Sequence, residues 1–325
     1  MNGLDRRGIL AGMGAALAAP AWPSLAQEPP PADDVRSIHL LSNLFTRVGA
    51  SAFIDGAGPF TFVIDTGAGS TSISDTLAER LGLRSGAPKL VHGITEARVT
   101  PCVEIDRLLL SGLAFRHLSC PVFPREQLGA DGLLGLDVLG RFRLRFDISR
   151  RAASLTMRGF GVTMGGDAML GTRLRQGLRS VRGRFGQMIL TQVTAEGQTV
   201  AAFIDSGAQY SIGNMALARA VAARRPDDHH TPREVPVYGV TGQSLTADVL
   251  RIDDLRLGAS RLGSTPMLFA DLHCFETLGL AERPALLIGA DLLGRFREVT
   301  LDFPSNSIGF VGLRRLATPG LDARG

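Results

Sequence analysis

The sequence is poor in several residue types, and each shortage narrows the function classes open to the protein. Three cysteines among 325 residues are too few for a disulfide framework, and their spacing fits no zinc-binding pattern. The chain has one lysine, Lys89, and its formal net charge of +4 is too small to indicate nucleic-acid binding. No apolar run is long enough to predict a stable membrane span. Cys102 and Cys120 either form a disulfide or stay reduced, and the sequence leaves both alternatives open.

Residues 1–26 have the pattern of an export signal. Arg6 and Arg7 precede an apolar run over residues 8–22, and a small-x-Ala cleavage site ends at Ala26. The paired arginines resemble a twin-arginine signal. The departures from that pattern are at Asp5, Ile9 and Ala11. Ordinary secretion and an uncleaved anchor remain alternatives. We therefore expect a periplasmic or secreted protein whose residues 27–37 form a flexible N-terminus.

The rest of the chain uses one tetrapeptide pattern twice. Asp65-Thr66-Gly67-Ala68 and Asp205-Ser206-Gly207-Ala208 each follow an apolar run. An apolar run that ends in aspartate, a hydroxyl residue and glycine predicts a buried strand that places a carboxylate in a tight turn.

The surroundings of the two tetrapeptides repeat in the same order. Each copy follows a strand–turn–strand pattern and precedes a helix with a capping residue, Ser74 or Asn214. A glycine-containing segment comes next, and then an apolar-apolar-glycine motif with a short helix. The repeated segments are Val91-His92-Gly93-Ile94-Thr95 with Val237-Tyr238-Gly239-Val240-Thr241, and residues 133–142 with residues 287–296. Two long copies predict a duplicated fold rather than a solenoid.

These motifs resemble the retropepsin-like aspartic proteases over residues 40–158 and 185–313. The resemblance implies an all-β fold in which two homologous β-barrel lobes share one chain. The lobes would have a pseudo-two-fold, pepsin-like arrangement, each with a short C-terminal helix. The implied segments are an N-terminal lobe at 38–158, an irregular Gly/Arg-rich connector at 159–184, a C-terminal lobe at 185–314 and a tail at 315–325.

The resemblance also implies one site shared by the two lobes. The catalytic positions are Asp65 and Asp205. The positions that support this dyad are Thr66, Gly67, Ser206 and Gly207. The flap candidates are His92, Gly93, Tyr238 and Gly239. Gly135 and Gly289 match the glycine of the loop packed under each aspartate turn.

Peptide-bond hydrolysis explains why such a site needs two carboxylates. One activates water as a base, and the other, protonated, supports the carbonyl oxygen of the substrate. Two carboxylates about 3 Å apart do not both ionise readily, an effect for which the aspartic-protease dyad is the standard example. The resemblance implies no metal and no other cofactor. A polypeptide is the implied substrate, and a monomer suffices because one chain supplies both aspartates.

The sequence thus favours an aspartic endopeptidase, with limited processing of an exported or envelope protein as its expected role. A catalytically silent peptide-binding module with the same bilobal fold is an alternative. A glycosidase is another, and its carboxylates would be about 5 Å or more apart. We interpret Asp137 and Asp291 as N-terminal charges or caps of short helices. The segments interpreted as solvated loops rather than metal sites are Asp227-Asp228-His229-His230 and Asp271-Leu272-His273-Cys274.

Overall fold

The structure is a computed structural model. It describes residues 38–39, 49–110, 112–148, 152–157, 160–164, 178–224, 233–238 and 243–314. The predictions for residues 1–37, 227–230, 239 and 315–325 lie outside these described residues.

Strands dominate both halves of the chain. The first half contains β1 (Ile38–His39), β2 (Gly49–Ile54), β3 (Ala57–Ile64), β4 (Ser72–Ser74), β5 (Arg84–His92), β6 (Ala97–Leu110), β7 (Leu113–Phe123), β8 (Gly132–Leu134), β9 (Arg143–Asp147), β10 (Ala152–Met157) and β11 (Phe160–Met164). Its helices are α1 (Asp75–Leu81), α2 (Arg125–Leu128) and α3 (Leu136–Leu139).

The second half repeats this order of elements. Its strands are β12 (Leu178–Arg182), β13 (Met188–Ala195), β14 (Gln198–Ile204), β15 (Ile212–Gly213), β16 (Arg233–Tyr238), β17 (Ser244–Leu257), β18 (Ser260–Phe269), β19 (Ala285–Ile288), β20 (Phe296–Asp302) and β21 (Ser307–Leu313). Its helices are α4 (Met215–Ala222), α5 (His273–Thr277) and α6 (Ala290–Leu293).

Each half closes into a six-stranded barrel, as the sequence predicted. In lobe one the strand order is β2-β3-β8-β4-β7-β6, and β6 pairs back with β2. In lobe two the order is β13-β14-β19-β15-β18-β17, and β17 pairs back with β13. Phe62 and Ile73 are among the fully buried side chains of lobe one, and Phe269 and Phe275 among those of lobe two. Each such side chain contributes about 1.5–3 kcal/mol through burial.

Local sequence signals set the ends of several elements. The hairpin β2–β3 turns at Asp55-Gly56 and the hairpin β13–β14 at Glu196-Gly197, and all four residues have positive φ. A two-residue turn with positive φ at both positions matches the twist of the strands it joins. Helix α1 begins after Ser74, whose hydroxyl accepts a hydrogen bond from Leu77 N at 3.2 Å. Helix α4 begins in the same way after Asn214, whose Oδ1 lies 2.9 Å from Leu217 N.

A six-stranded sheet joins the two lobes and fixes their relative position. Strand β9 of the first half pairs antiparallel with β20 of the second, which gives the order β12-β21-β20-β9-β10-β11. Arg145 and Glu298 form an ion pair across this join, with only 15% and 12% of their side chains exposed. The sequence showed that both strands exist but not that they pair with each other.

Two segments differ from their predicted assignment. The connector at 159–184 is not irregular throughout, because it contains β11 and β12. Arg179 and Arg182 of β12 are exposed, and Arg182 donates to Phe303 O at 2.6 Å, while the main chain of β12 pairs with β13 and β21. Strand β1, which falls within the predicted first lobe, pairs in parallel with β16 of lobe two. Among the described residues, no helix has the length and apolar character needed to cross a membrane.

Candidate active site

Each of the two aspartates follows one strand of a parallel pair, and these strand pairs place both aspartates at the junction of the lobes. Asp65 follows β3, and its backbone N donates to Leu134 O at 3.1 Å on the neighbouring β8. Asp205 follows β14, and its N donates to Ile288 O at 3.0 Å on β19. The apolar strands thereby hold both carboxyl groups at the same place in the two lobes.

The turn after each aspartate binds the carboxyl group through its backbone. Oδ1 of Asp65 accepts hydrogen bonds from the N–H groups of Gly67 (2.9 Å) and Ala68 (3.1 Å). Oδ1 of Asp205 accepts from Gly207 (2.8 Å) and Ala208 (3.2 Å). Each carboxyl group also lies close enough to the other to shift its pKa, and each lies against the turn of the opposite lobe, so the structure brings the predicted dyad together.

Burial and proximity act together on the protonation of this pair. Burial is the main cause that raises the pKa of both Asp65 and Asp205. The charge of Asp65 raises the pKa of Asp205 further, whereas the backbone N–H groups lower the pKa of both. Because the groups titrate as a unit, the pair keeps a shared proton at a pH where isolated carboxyl groups have lost theirs.

Thr66 and Ser206 connect the two turns across the lobe junction. Thr66 N donates to Ser206 Oγ at 3.1 Å, and Ser206 N donates to Thr66 Oγ1 at 3.0 Å. Each hydroxyl then donates to the opposite strand end, Thr66 to Ile204 O and Ser206 to Ile64 O, both at 3.2 Å. Since both side chains are buried, these bonds fix the spacing of the two carboxyl groups.

A second pair of aspartates, Asp137 and Asp291, accepts hydrogen bonds from the loop that follows each aspartate turn. Asp137 Oδ1 accepts from Thr71 N at 2.9 Å and from Thr71 Oγ1 at 2.7 Å. In lobe two, Ser211 Oγ donates to Asp291 Oδ1 at 2.6 Å. Gly135 and Gly289 are the N-cap residues of α3 and α6, so the two aspartates are N-terminal charges in the first turn, as predicted, and not caps. Each aspartate also accepts from the next backbone N–H of its helix. The prediction missed the bonds to Thr71 and Ser211, which the sequence separates from the aspartates by 66 and 80 positions.

The predicted loop glycines lie under these turns. Gly135 N donates to Thr71 Oγ1 at 3.1 Å, and Gly289 N donates to Ser211 Oγ at 2.9 Å. A Cβ on Gly135 would lie 2.3 Å from the carbonyl carbon of Ser70, closer than any real contact. The absence of a side chain at these positions therefore lets the loops pack directly beneath the aspartates.

A cavity of about 220 Å³ opens from the dyad toward the flap of lobe one. His92 ends β5 and Gly93 begins the turn to β6, and both line this cavity. In lobe two, Tyr238 is the last residue of β16, and Gly239 lies outside the described residues. Most of the remaining lining is apolar. It includes Leu90, Phe123, Leu133, Phe203 and Leu278.

Residues that the sequence analysis passed over also reach the cavity. The interpretation of residues 271–274 as a solvated loop is wrong after Asp271, because Leu272 is buried, His273 and Cys274 begin α5, and Cys274 lines the cavity. Burial is the main cause that raises the pKa of Cys274, so its thiol stays protonated. Phe185, in the turn between β12 and β13, also lines the cavity. No local sequence signal marked these residues, because their role depends on the packing of the lobes.

The other cysteines take no part in the site. Cys102 and Cys120 are buried free thiols. Val103 is directly opposite Cys120 in the β6–β7 pair, so Cys102 points to the other face of the sheet. Within the described residues, no group of three or more His, Cys, Asp or Glu side chains is placed to hold a metal ion.

Comparison with known proteins identifies the family. The family described as aspartyl protease matches residues 50–138 and 191–292, which together make up more than half of the chain. The two matched regions each contain one of the repeated aspartate turns. A comparison with curated proteins found no match. The duplicated match and the fold agree: the chain belongs to the retropepsin-like aspartyl protease family.

Proposed function

We propose that the protein is an aspartic endopeptidase whose catalytic groups are Asp65 and Asp205. The observation that carries this proposal is the close approach of two carboxyl groups, one from each lobe, which influence each other's pKa and both line the cavity. A glycosidase would need a gap of about 5 Å or more between its carboxyl groups, whereas here each aspartate turn lies directly against the carboxyl group of the other lobe.

The geometry suggests how the dyad would act on a peptide bond. A water molecule between the carboxyl groups gives a proton to the ionised one as it attacks the carbonyl carbon. The protonated carboxyl group donates to the carbonyl oxygen, and the tetrahedral intermediate then collapses as the leaving nitrogen takes up a proton. The backbone N–H groups of Gly67 and Gly207 hold the carboxyl groups in place throughout. One chain supplies both aspartates, so a monomer suffices.

Limited processing of an exported or envelope protein is the role that we propose for this activity. The export-like pattern of residues 1–26 supports a periplasmic or secreted location. The cavity of about 220 Å³ is smaller than the roughly 300–1,000 Å³ typical of ligand pockets, so an extended polypeptide enters only when the flap moves. A cleft that must open before it binds a substrate favours cleavage at flexible, accessible segments. Such cleavage is limited processing rather than bulk digestion.

Cleavage of a peptide library in H₂¹⁸O tests the proposal. We expect new termini at defined sites between about pH 3 and 8, with one ¹⁸O atom in each new carboxyl group, because water attacks directly. Peptides retained by the protein but left intact throughout this range would contradict the proposal and support the silent binding module. Extensive digestion of folded and unfolded proteins alike would contradict the limited role.

A further inference from the structure

Two histidines hold the flap of lobe one against lobe two. His92 Nδ1 lies 2.9 Å from Nε2 of His273, at the start of α5, and the two rings are within 15° of parallel. His92 also contacts Phe185, with ring centroids 5.6 Å apart. Phe185 in turn lies against Gly69, beside the Asp65 turn. Because His92 and Phe185 line the cavity, these contacts close the cleft on this side.

The contact between the histidines depends on their protonation. A hydrogen bond between two imidazoles needs one nitrogen that donates and one that accepts. The pair meets this need when both rings are neutral or when one is charged. When both are charged, both nitrogens carry hydrogen, so His92 and His273 repel each other.

The groups around His92 and His273 disfavour a second positive charge on this pair of rings. Burial is the main cause that lowers the pKa of His92, and His273 and Arg184 lower it further. On the other side, Glu276 Oε2 lies 3.6 Å from His273 Nδ1, so a carboxylate faces the pair there. The Thr277 hydroxyl lies 3.2 Å from His273 Nε2. The remaining charged side chains between Lys89 and its strand partner Thr100 are Lys89, Glu96 and Arg98, and Lys89 Nζ donates to Ser119 O at 2.7 Å.

We propose that His92 and His273 form a latch that keeps the flap closed at neutral pH and releases it when both rings are protonated. The first proton leaves the hydrogen bond intact, and the second abolishes it. Acidification therefore opens the cleft while the dyad below still holds its shared proton. The role of the latch as a gate for polypeptide substrates rests on the proposed peptidase function, but the latch itself is a property of the fold.

Hydrogen exchange of the flap amides in the full chain tests the latch without any need for activity. His92→Gln keeps a neutral group that can hydrogen-bond to His273 at any pH, whereas His92→Ala removes the contact. His117→Asn is the matched control, because His117 is an exposed histidine on β7 that does not line the cavity. Comparison at equal pH cancels the intrinsic pH dependence of exchange, so differences report opening of the flap.

The latch predicts a distinct pattern for segment 89–97. At about pH 7.5 the unmodified protein, His92→Gln and His117→Asn exchange equally, and His92→Ala exchanges roughly five-fold faster, the effect of one net hydrogen bond. At about pH 4.5 the unmodified protein and His117→Asn exchange as fast as His92→Ala, while His92→Gln stays protected. Equal protection of the unmodified protein and His92→Gln at acidic pH would overturn the proposal. So would full protection of His92→Ala at neutral pH.

Discussion

Gly67 lies so close to Asp205 that no side chain fits between them. A Cβ on Gly67 would lie 2.4 Å from Cγ of Asp205, and a Cβ on Gly207 would lie 2.8 Å from Cγ of Asp65. Each turn therefore presses its backbone against the carboxyl group of the opposite lobe. This reciprocal contact is the tightest steric link between the fold and the proposed chemistry.

Gly67→Ala should separate the two carboxyl groups and abolish most cleavage. We expect kcat/KM to fall by about 100-fold, because a shift of about 1 Å in reacting groups costs that much. Gly69→Ala provides the comparison, since its Cβ would meet Phe185 Cβ at an ordinary 3.6 Å. Steady-state kinetics on a cleaved library peptide should show a much smaller loss for Gly69→Ala. Equal activity of the two variants would mean that the close approach at Gly67 does not matter.

Thr66→Val should weaken the junction of the lobes. The substitution keeps the shape of the side chain but leaves the buried N–H of Ser206 without its 3.0 Å acceptor. The free energy of unfolding, measured by urea denaturation, should fall by about 1–3 kcal/mol. Thr66→Ser retains the hydroxyl and should lose clearly less. If Thr66→Val lost no more stability than Thr66→Ser, the hydrogen bonds of the Thr66 hydroxyl would not stabilise the junction.

Asp205→Asn should change how stability depends on pH. Folding raises the pKa of Asp205, so this group stabilises the protein below the ordinary carboxyl pKa, and the contribution is lost as pH rises through the raised value. Asparagine keeps the amide oxygen as an acceptor but does not titrate. The variant should therefore gain stability relative to the unmodified protein between about pH 4 and pH 8.

Urea denaturation at both pH values measures this difference. Each unit by which folding raises the pKa corresponds to about 1.4 kcal/mol at the higher pH. A difference between the two proteins that stays constant with pH would show that the pKa of Asp205 is not raised.

Asp137→Ala should loosen the loop under the Asp65 turn. It removes the acceptor of Thr71 N and Thr71 Oγ1, at 2.9 and 2.7 Å, and we expect a loss of about 1–3 kcal/mol in the free energy of unfolding. Asp106→Ala is the control, because its pair with Arg84 is exposed and worth about 0–1 kcal/mol. A loss no larger than that of the control would contradict a structural role for Asp137.

The sequence predicted the parts of the fold that local signals specify. Ser74 and Asn214 begin helices because their side chains accept the backbone N–H three residues on. The repeated tetrapeptides predicted that Asp65 and Asp205 would meet, since the same strand and turn recur in both lobes. Their catalytic role, and the export of the protein, stay predictions.

Features that depend on contacts between distant segments escaped sequence analysis. The pairing of β9 with β20 joins segments far apart in the chain, and neither its backbone bonds nor its Arg145–Glu298 ion pair shows in a local sequence pattern. His273 reaches His92 across 181 positions, and nothing in its own surroundings distinguishes it from a surface histidine. Phe185 fills part of the cleft, although the sequence marked it only as the first residue of the second lobe.

Cleavage of one library peptide by Asp65→Asn and Asp205→Asn, beside Asp106→Asn as the control, tests the central claim most directly. If one site uses both carboxyl groups, each dyad variant loses nearly all cleavage at every pH between about 3 and 8, and the control retains it. Both dyad variants should also stay folded, because asparagine preserves the acceptor for the turn N–H groups. Substantial cleavage by either folded dyad variant would contradict a shared site.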